Sequence, residues 1–295
     1  MKKIGIIGVG IMGGPMAYNL LQAGFEVIAF DTREEALKRI VESGAIEGHS
    51  VKEIAEHSDV ILLMLPNSPN IEEVVTGTGQ LVQYVRKGQV VIDMSSISPI
   101  VTKKLAMLFA EKEVEMLDAP VSGGQEKAEA GTLSFMVGGK ADVFENHKEL
   151  FKVMGSSVTH TGEIGSGQTT KLINQIIVAG NIAILAEALT LGKKAGVDPK
   201  IIVEAIKGGL AGSQCMTDKA PRMIDSKFDP GFRLKLHLKD LANALETSRN
   251  LHVALPLTAS IMEMMQSLIG DGCLDEDHSI LVKYYEKLNS ITLNN

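Results

Sequence analysis

The chain has 295 residues, 45% of them hydrophobic, enough for one large or two ordinary domains with sizeable cores. A net charge of −7 without a basic block, 4% aromatics and no Trp exclude a polyanion binder, and with it nucleic acid as the main partner. Two cysteines, Cys215 and Cys273, make no disulfide framework, and the start has no signal-peptide pattern, so free thiols and a cytoplasmic location are expected.

The apolar run at 4–8 predicts a buried strand that turns directly into Gly8, Gly10 and Gly13, spaced G-x-G-x-x-G. In a dinucleotide site Gly8 allows the tight turn, Gly10 lets the backbone approach a pyrophosphate, and Gly13 lets the next helix pack on the sheet. Ile11 and Met12 fall in the same turn, where first-turn N–H groups face the phosphates. Pro15 in the first turn, Met12, Met16 and Leu20 at helical spacing, and Gly24 at the end complete the helix pattern. A second strand at 27–31 ends in Asp31, where an acid accepts hydrogen bonds from an adenosine ribose. Taken alone, Asp31 also fits a cap for the following helix; after the glycines the ribose role is the reading. Its carboxylate repels a 2′-phosphate and favours NAD(H), while Arg33 would partly accommodate one and leaves NADP(H) open.

Further apolar runs at 60–65, 90–94, 114–117, 133–137 and 157–160 alternate with helical patterns. This predicts an α/β, Rossmann-type, doubly wound and mainly parallel sheet over 1–162. Gly162, Gly165 and Gly167 mark a break, after which helical signals dominate. Asp198-Pro199 opens one helix, and Ile261, Met264, Met265 and Leu268 share a face of another, so 163–295 is expected to be an all-α domain. The stretch 172–191 is apolar for about the length of a membrane span, but Asn174, Gln175, Asn181 and Glu187 would be costly in hydrocarbon. A helix buried against others, within the domain or across a subunit interface, is expected instead. The tail 293–295 is expected to fray.

An enzyme that reduces a carbonyl with a nicotinamide needs a substrate anchor, a proton donor and a dry pocket. The segment DAPVSGG at 118–124 follows a strand and so lies at the carboxyl end of the sheet. Ser122 and the N–H groups of Gly123 and Gly124 would make a nest for a carboxylate, although a serine-glycine turn alone needs no function. Lys171, Asn174 and Gln175, at i, i+3 and i+4, put an ammonium and two amides on one helical face, suited to the entry of a cleft. With an ordinary pKa of about 10.4, a lysine is ready to donate a proton at neutral pH; by itself Lys171 also reads as an exposed lysine near a helix end. Of seven histidines, His49, His57, His147, His252 and His278 stand in polar or loop-like contexts, leaving His160 and His237 as rivals. None is paired at metal-ligand spacing, and no G-x-S-x-G elbow follows a strand, so neither a metal centre nor a serine hydrolase is expected. LPNSPN at 65–70 closes a strand near the cofactor, and Lys239-Asp240 is read as beginning another helix, where alone it would be a surface ion pair.

GVGIMGGPM at 8–16, LPNSP at 65–69, DAPVSGG at 118–124, GSGQTTKLINQ at 165–175 and KDL at 239–241 together resemble the β-hydroxyacid dehydrogenase family. The likeness runs in order over nearly the whole chain. It implies Lys171 as the catalytic residue, and Ser122, Gly123, Gly124, Asn174 and Gln175 as substrate contacts. It also implies that Leu65, Pro66, Asn70, Ser96 and Lys239 touch the cofactor, that the substrate is a small aldehyde acid, and that the chain forms a homodimer or homotetramer. Ser96 stands where the 3-hydroxyisobutyrate branch often has threonine, which shifts the expectation away from that substrate. A non-catalytic dinucleotide-binding sensor is the alternative from another class.

Overall fold

The computed structural model describes residues 2–294 and divides into two compact units, Met1–Lys171 and Leu172–Asn295. In the first, the strands are β1 (Lys3–Ile7), β2 (Glu26–Phe30), β3 (Ile46–Glu47), β4 (Val60–Leu63), β5 (Val90–Asp93), β6 (Glu115–Asp118), β7 (Val121–Ser122), β8 (Leu133–Gly138) and β9 (Gly155–Gly162). They form one sheet in the order β3-β2-β1-β4-β5-β6-β8-β7, with β9 also on β8. The first six are parallel, β8 joins β6 antiparallel, and β7 and β9 both pair with β8. The sheet is covered on both faces, which is why its strands read as continuous apolar runs. Ile4, Ile6 and Leu62 enter one core and Ile7, Ile61 and Leu63 the other, as the two-residue period requires.

Every strand expected from the apolar runs is present. Two were not expected. Ile46 and Glu47 of β3 are both exposed, so no burial pattern announces them. Val121–Ser122 lies inside the segment read as a loop, and its pairing of Val121 with Phe135 and Ser122 with Ser134 makes it a short strand. The chain runs from β1 outward to β2 and β3, then returns to place β4 on the other side of β1. The carboxyl ends of β1 and β4 therefore flank the point where strand order reverses, the usual place for a ligand in an open α/β sheet.

The second unit is helical. The long helix Ser166–Lys194 is followed by Pro199–Ile206, Gln214–Ile224, Leu234–Asn250, Pro256–Ser267 and Val282–Asn289. Asp198 caps its helix by accepting from the Lys200 N–H at 2.9 Å. The long helix is long and apolar enough to cross a membrane by length and composition. Ala179, Ile182, Leu185, Ala186 and Leu189 instead join a core with Met223, Leu234, Leu241, Met265 and Leu281. Ile173, Ile177, Ile184 and Leu191 form a second stripe that is 52–72% exposed. The tail departs from expectation: Leu293 is buried and its N–H donates to the Glu286 carboxylate at 2.8 Å, whereas Asn295 lies outside the described residues.

Candidate active site

Gly8 leaves β1 with φ +94°, and its N–H donates to the Phe30 carbonyl at 2.9 Å. A Cβ on Gly8 would overlap the Met64 carbonyl oxygen, and one on Gly13 would overlap the carbonyl oxygen of Gly8. The turn and the helix Gly13–Gln22 thus close to a distance that no side chain permits. Gly10 differs: the atoms nearest a Cβ there belong to the mobile end of Arg33, at 2.6 Å. Two positions packed tight and one approachable from outside suit a pyrophosphate, as does a first helical turn without acidic residues.

Asp31 braces this turn. One carboxylate oxygen accepts the Val9 N–H at 2.9 Å and the other the Arg33 N–H at 2.9 Å, while the Arg33 guanidinium bonds both at 3.1 and 3.2 Å. Burial pushes the carboxyl up, but the bonds from Arg33 and Val9 outweigh it and hold the group below the usual carboxylate range. Through the Arg33 N–H the carboxylate also reaches the residue that precedes the helix Glu34–Glu42, whose own side chain makes no cap bond.

The loop after β5 and the end of β6 meet at the start of the long helix, and the loop after β4 is bonded to the loop after β5. The Leu65 N–H donates to Ser95 Oγ at 2.8 Å, and Asn67 caps the helix Ser68–Val75 through the Asn70 N–H at 3.0 Å. Gln168 donates to the Ser95 carbonyl at 2.7 Å and accepts from the Ile97 N–H at 3.1 Å, fixing the half-buried Ser96 between them. The Asp118 carboxylate accepts the N–H groups of Gly165 and Gln168, both at 2.7 Å. Burial pushes the Asp118 carboxyl up to about 6, although the N–H groups around it pull the other way. Three residues beyond Gln168, Lys171 is only 6% exposed, which removes the reading of an ordinary surface lysine. Ser122 is half-buried at the end of β7, and Gly123 and Gly124, both with positive φ, open the helix Gly124–Glu129. Ser95, Asp118 and Gln168 were missed as functional candidates: Asp118 and Gln168 stand in the quoted motifs, but nothing local reveals that they bond to each other's segments.

In the helical unit, Asn174 donates to Gln175 Oε1 at 2.8 Å and Gln175 donates to Asp240 Oδ2 at 2.6 Å. Lys239 Nζ lies 3.1 Å from the other Asp240 oxygen. Asp240 is 1% exposed and sits in the second turn of Leu234–Asn250, so the pair neither begins the helix nor lies on the surface. His237 meets the Gln175 carbonyl through Nε2 at 3.1 Å, and its Nδ1 faces the Nδ1 of His278 at 2.8 Å. A carbonyl only accepts, so His237 carries its proton on Nε2 and His278 donates from Nδ1. Burial, with the charge of Lys219 nearby, holds His278 well below the ordinary histidine range. Two expectations are corrected here: His278 and His147 are buried, His147 against Val143 and Lys2, because both occupy helical turns facing a core. His160 bonds the Gly139 carbonyl at 2.7 Å and stacks on Phe144, which commits it to the sheet.

Fold and glycine turn define a dinucleotide-dependent protein of the Rossmann class. Residues 3–162 match the family described as the NAD binding domain of 6-phosphogluconate dehydrogenase, and residues 165–285 the NAD-binding family of NADP-dependent 3-hydroxyisobutyrate dehydrogenase. The chain is 43% identical to 2-hydroxy-3-oxopropionate reductase of Escherichia coli over 96% of its length and 97% of that enzyme. It is 39% identical to 2-(hydroxymethyl)glutarate dehydrogenase of Eubacterium barkeri, over 99% and 97%. Among solved structures, 3-hydroxyisobutyrate dehydrogenase of Mycobacterium tuberculosis with L-serine superposes with a TM-score of 0.91 at 28% identity, covering 97% of this chain and 99% of that one. The chain belongs to the β-hydroxyacid dehydrogenase family and is an NAD(P)-dependent oxidoreductase.

Proposed function

We propose that the protein reduces tartronate semialdehyde (2-hydroxy-3-oxopropanoate) to D-glycerate, with Lys171 as the proton donor. The observation that carries the reading is the burial of Lys171 at the head of a helix tied to the DAPVSGG segment. The 43% identity to the E. coli reductase supports the substrate, as do MLPNSP, IDMSSISP, HTGEIG, GGLAGS and LKDLANAL, which resemble that branch. A reduced nicotinamide, when bound, supplies the hydride. Gly8, Gly10, Ile11, Met12, Gly13, Asp31, Arg33, Leu65, Pro66, Asn70, Ser96 and Lys239 are the residues that would hold it, with NAD(H) preferred over NADP(H) because of Asp31. Ser122 and the amides of Gly123 and Gly124 hold the substrate carboxylate, and Lys171 Nζ delivers a proton to the carbonyl oxygen as it gains charge. Asn174 and Gln175, bonded to each other and with Gln175 held by Asp240, contribute further polar contacts to the substrate. The same reading takes the protein as a cytoplasmic homodimer or homotetramer, associated through the exposed stripe of the long helix.

Tartronate, methylmalonate and succinic semialdehydes and glyoxylate, each assayed with NADH and NADPH, test the substrate. The highest kcat/KM is expected for tartronate semialdehyde with NADH; a higher value for methylmalonate semialdehyde would favour the 3-hydroxyisobutyrate reading, to which the M. tuberculosis fold likeness lends weight. Lys171→Ala should lower turnover by roughly a hundredfold to ten-thousandfold with NADH affinity little changed. Unchanged turnover removes the mechanism, and NADH binding with no turnover of any aldehyde acid by the unaltered protein would support the sensor.

A further inference from the structure

Asp118 is fully buried, four residues before Ser122, yet its carboxylate is engaged by backbone. It accepts the N–H groups of Gly165 and Gln168 at the start of Ser166–Lys194. These N–H groups have no partner within the helix, and a negative charge there is favoured by the helix dipole. Gln168, also fully buried, reaches the opposite way to the Ser95 carbonyl and the Ile97 N–H. The two side chains therefore fasten one helical turn to the ends of β5 and β6. The seat has no slack: a Cβ on Gly138 would overlap Asp118 Oδ1, and one on Gly167 would overlap the Met136 carbonyl.

Burying a carboxylate is costly when its only return is stability, and a serine would cap a helix for less. What a carboxylate adds is two rigid acceptors, set on N–H groups three residues apart, that fix how the helix is rotated. Lys171 follows Gln168 by three residues, within the next turn, so any rotation or slip at the clamp is carried to its ammonium. We infer that Asp118 and Gln168 form a two-point clamp that positions Lys171 Nζ for proton transfer, an inference that rests on the proposed role of Lys171. They are positioning residues and exchange no proton with substrate.

Asp118→Asn, Asp118→Ala and Gln168→Leu in the full chain test this. Three quantities are read: amide hydrogen exchange over residues 165–171, kcat and KM per folded molecule, and the Lys171 NMR signal after reductive 13C-methylation. Exchange should quicken, kcat should fall by roughly tenfold to a hundredfold with KM and NADH affinity changing by less than about threefold, and the Lys171 signal should move. The Asn variant, which keeps one acceptor, should lie between wild type and Ala. Faster exchange with kcat and the Lys171 signal unchanged would overturn the inference, leaving the clamp a structural cap only. Should Asp118→Ala fail to fold, Gln168→Leu decides alone, since it leaves the carboxylate in place. If the unaltered protein reduces no aldehyde acid, the proposed reaction falls separately, and the Lys171 signal still decides whether the clamp positions it.

Discussion

Asp31 and Arg33 show how one carboxylate serves two purposes. It braces the glycine turn through the Val9 N–H and holds a guanidinium, 62% exposed, beside Gly10. Removing its charge frees Arg33 for a 2′-phosphate. Asp31→Ser should shift the ratio of NADPH to NADH affinity upward by about tenfold or more, the worth of a hydrogen bond to a charged group. Fluorescence titration with both cofactors checks it; an unmoved ratio would show that Asp31 does not discriminate. At this scale the sequence was legible where partners are near in the chain: the glycine spacing shows in the packing of the turn, and Asn174 and Gln175 are bonded as neighbours, while the roles of Asp31 and Lys171 rest on the proposed function. It was silent about Asp118 and Gln168, whose partners lie tens of residues away and are brought close only by the sheet.

Among elements, the apolar strands could be read because burial on both faces leaves little room for polar residues. β3 and β7 could not, since two residues carry no period and Ser122 resembles any turn serine. The helix Gly13–Gln22 is set by steric exclusion at its first residue, where a methyl group would strike the Gly8 carbonyl. Gly13→Ala should therefore push the helix off the sheet. A loss of roughly 1–3 kcal/mol in denaturant unfolding, together with weaker NADH binding, is expected. An alanine variant with wild-type stability and affinity would mean that the turn yields more readily than its packing indicates. The KDL segment taught a different lesson: its charge pair looks like surface in sequence, but a buried amide, Gln175, makes a buried Asp240 tolerable.

For the molecule as a whole, the stripe of Ile173, Ile177, Ile184 and Leu191 puts four large apolar side chains on one exposed helical face. On the proposed association through this stripe, Ile184→Glu should give a smaller species than the unaltered chain in sedimentation while the circular dichroism is retained. An unaltered sedimentation coefficient would count against association through this stripe.

The sealed imidazoles of His237 and His278 also have a consequence in mild acid. His278 takes a proton readily only when unfolded, because burial lowers its affinity in the native state, so the helical unit loses stability as pH falls below about 6.5. Asp277, held low despite its burial by the Lys219 ammonium and the N–H groups of Phe232, Gly231 and Ser279, adds to that loss further down. Asp118 runs the other way. Its proton is held up to about pH 6 when folded, against an ordinary 3.8, so its contribution to the sheet unit is greatest below about pH 4 and fades as pH rises to 6. Acidification thus loosens one half of the chain while favouring the other. Calorimetry between pH 7 and 5 should show the melting of the helices drawn downward ahead of the sheet, and a replacement such as His278→Phe, which has nothing to protonate, should narrow the gap without closing it, since the Asp118 contribution remains.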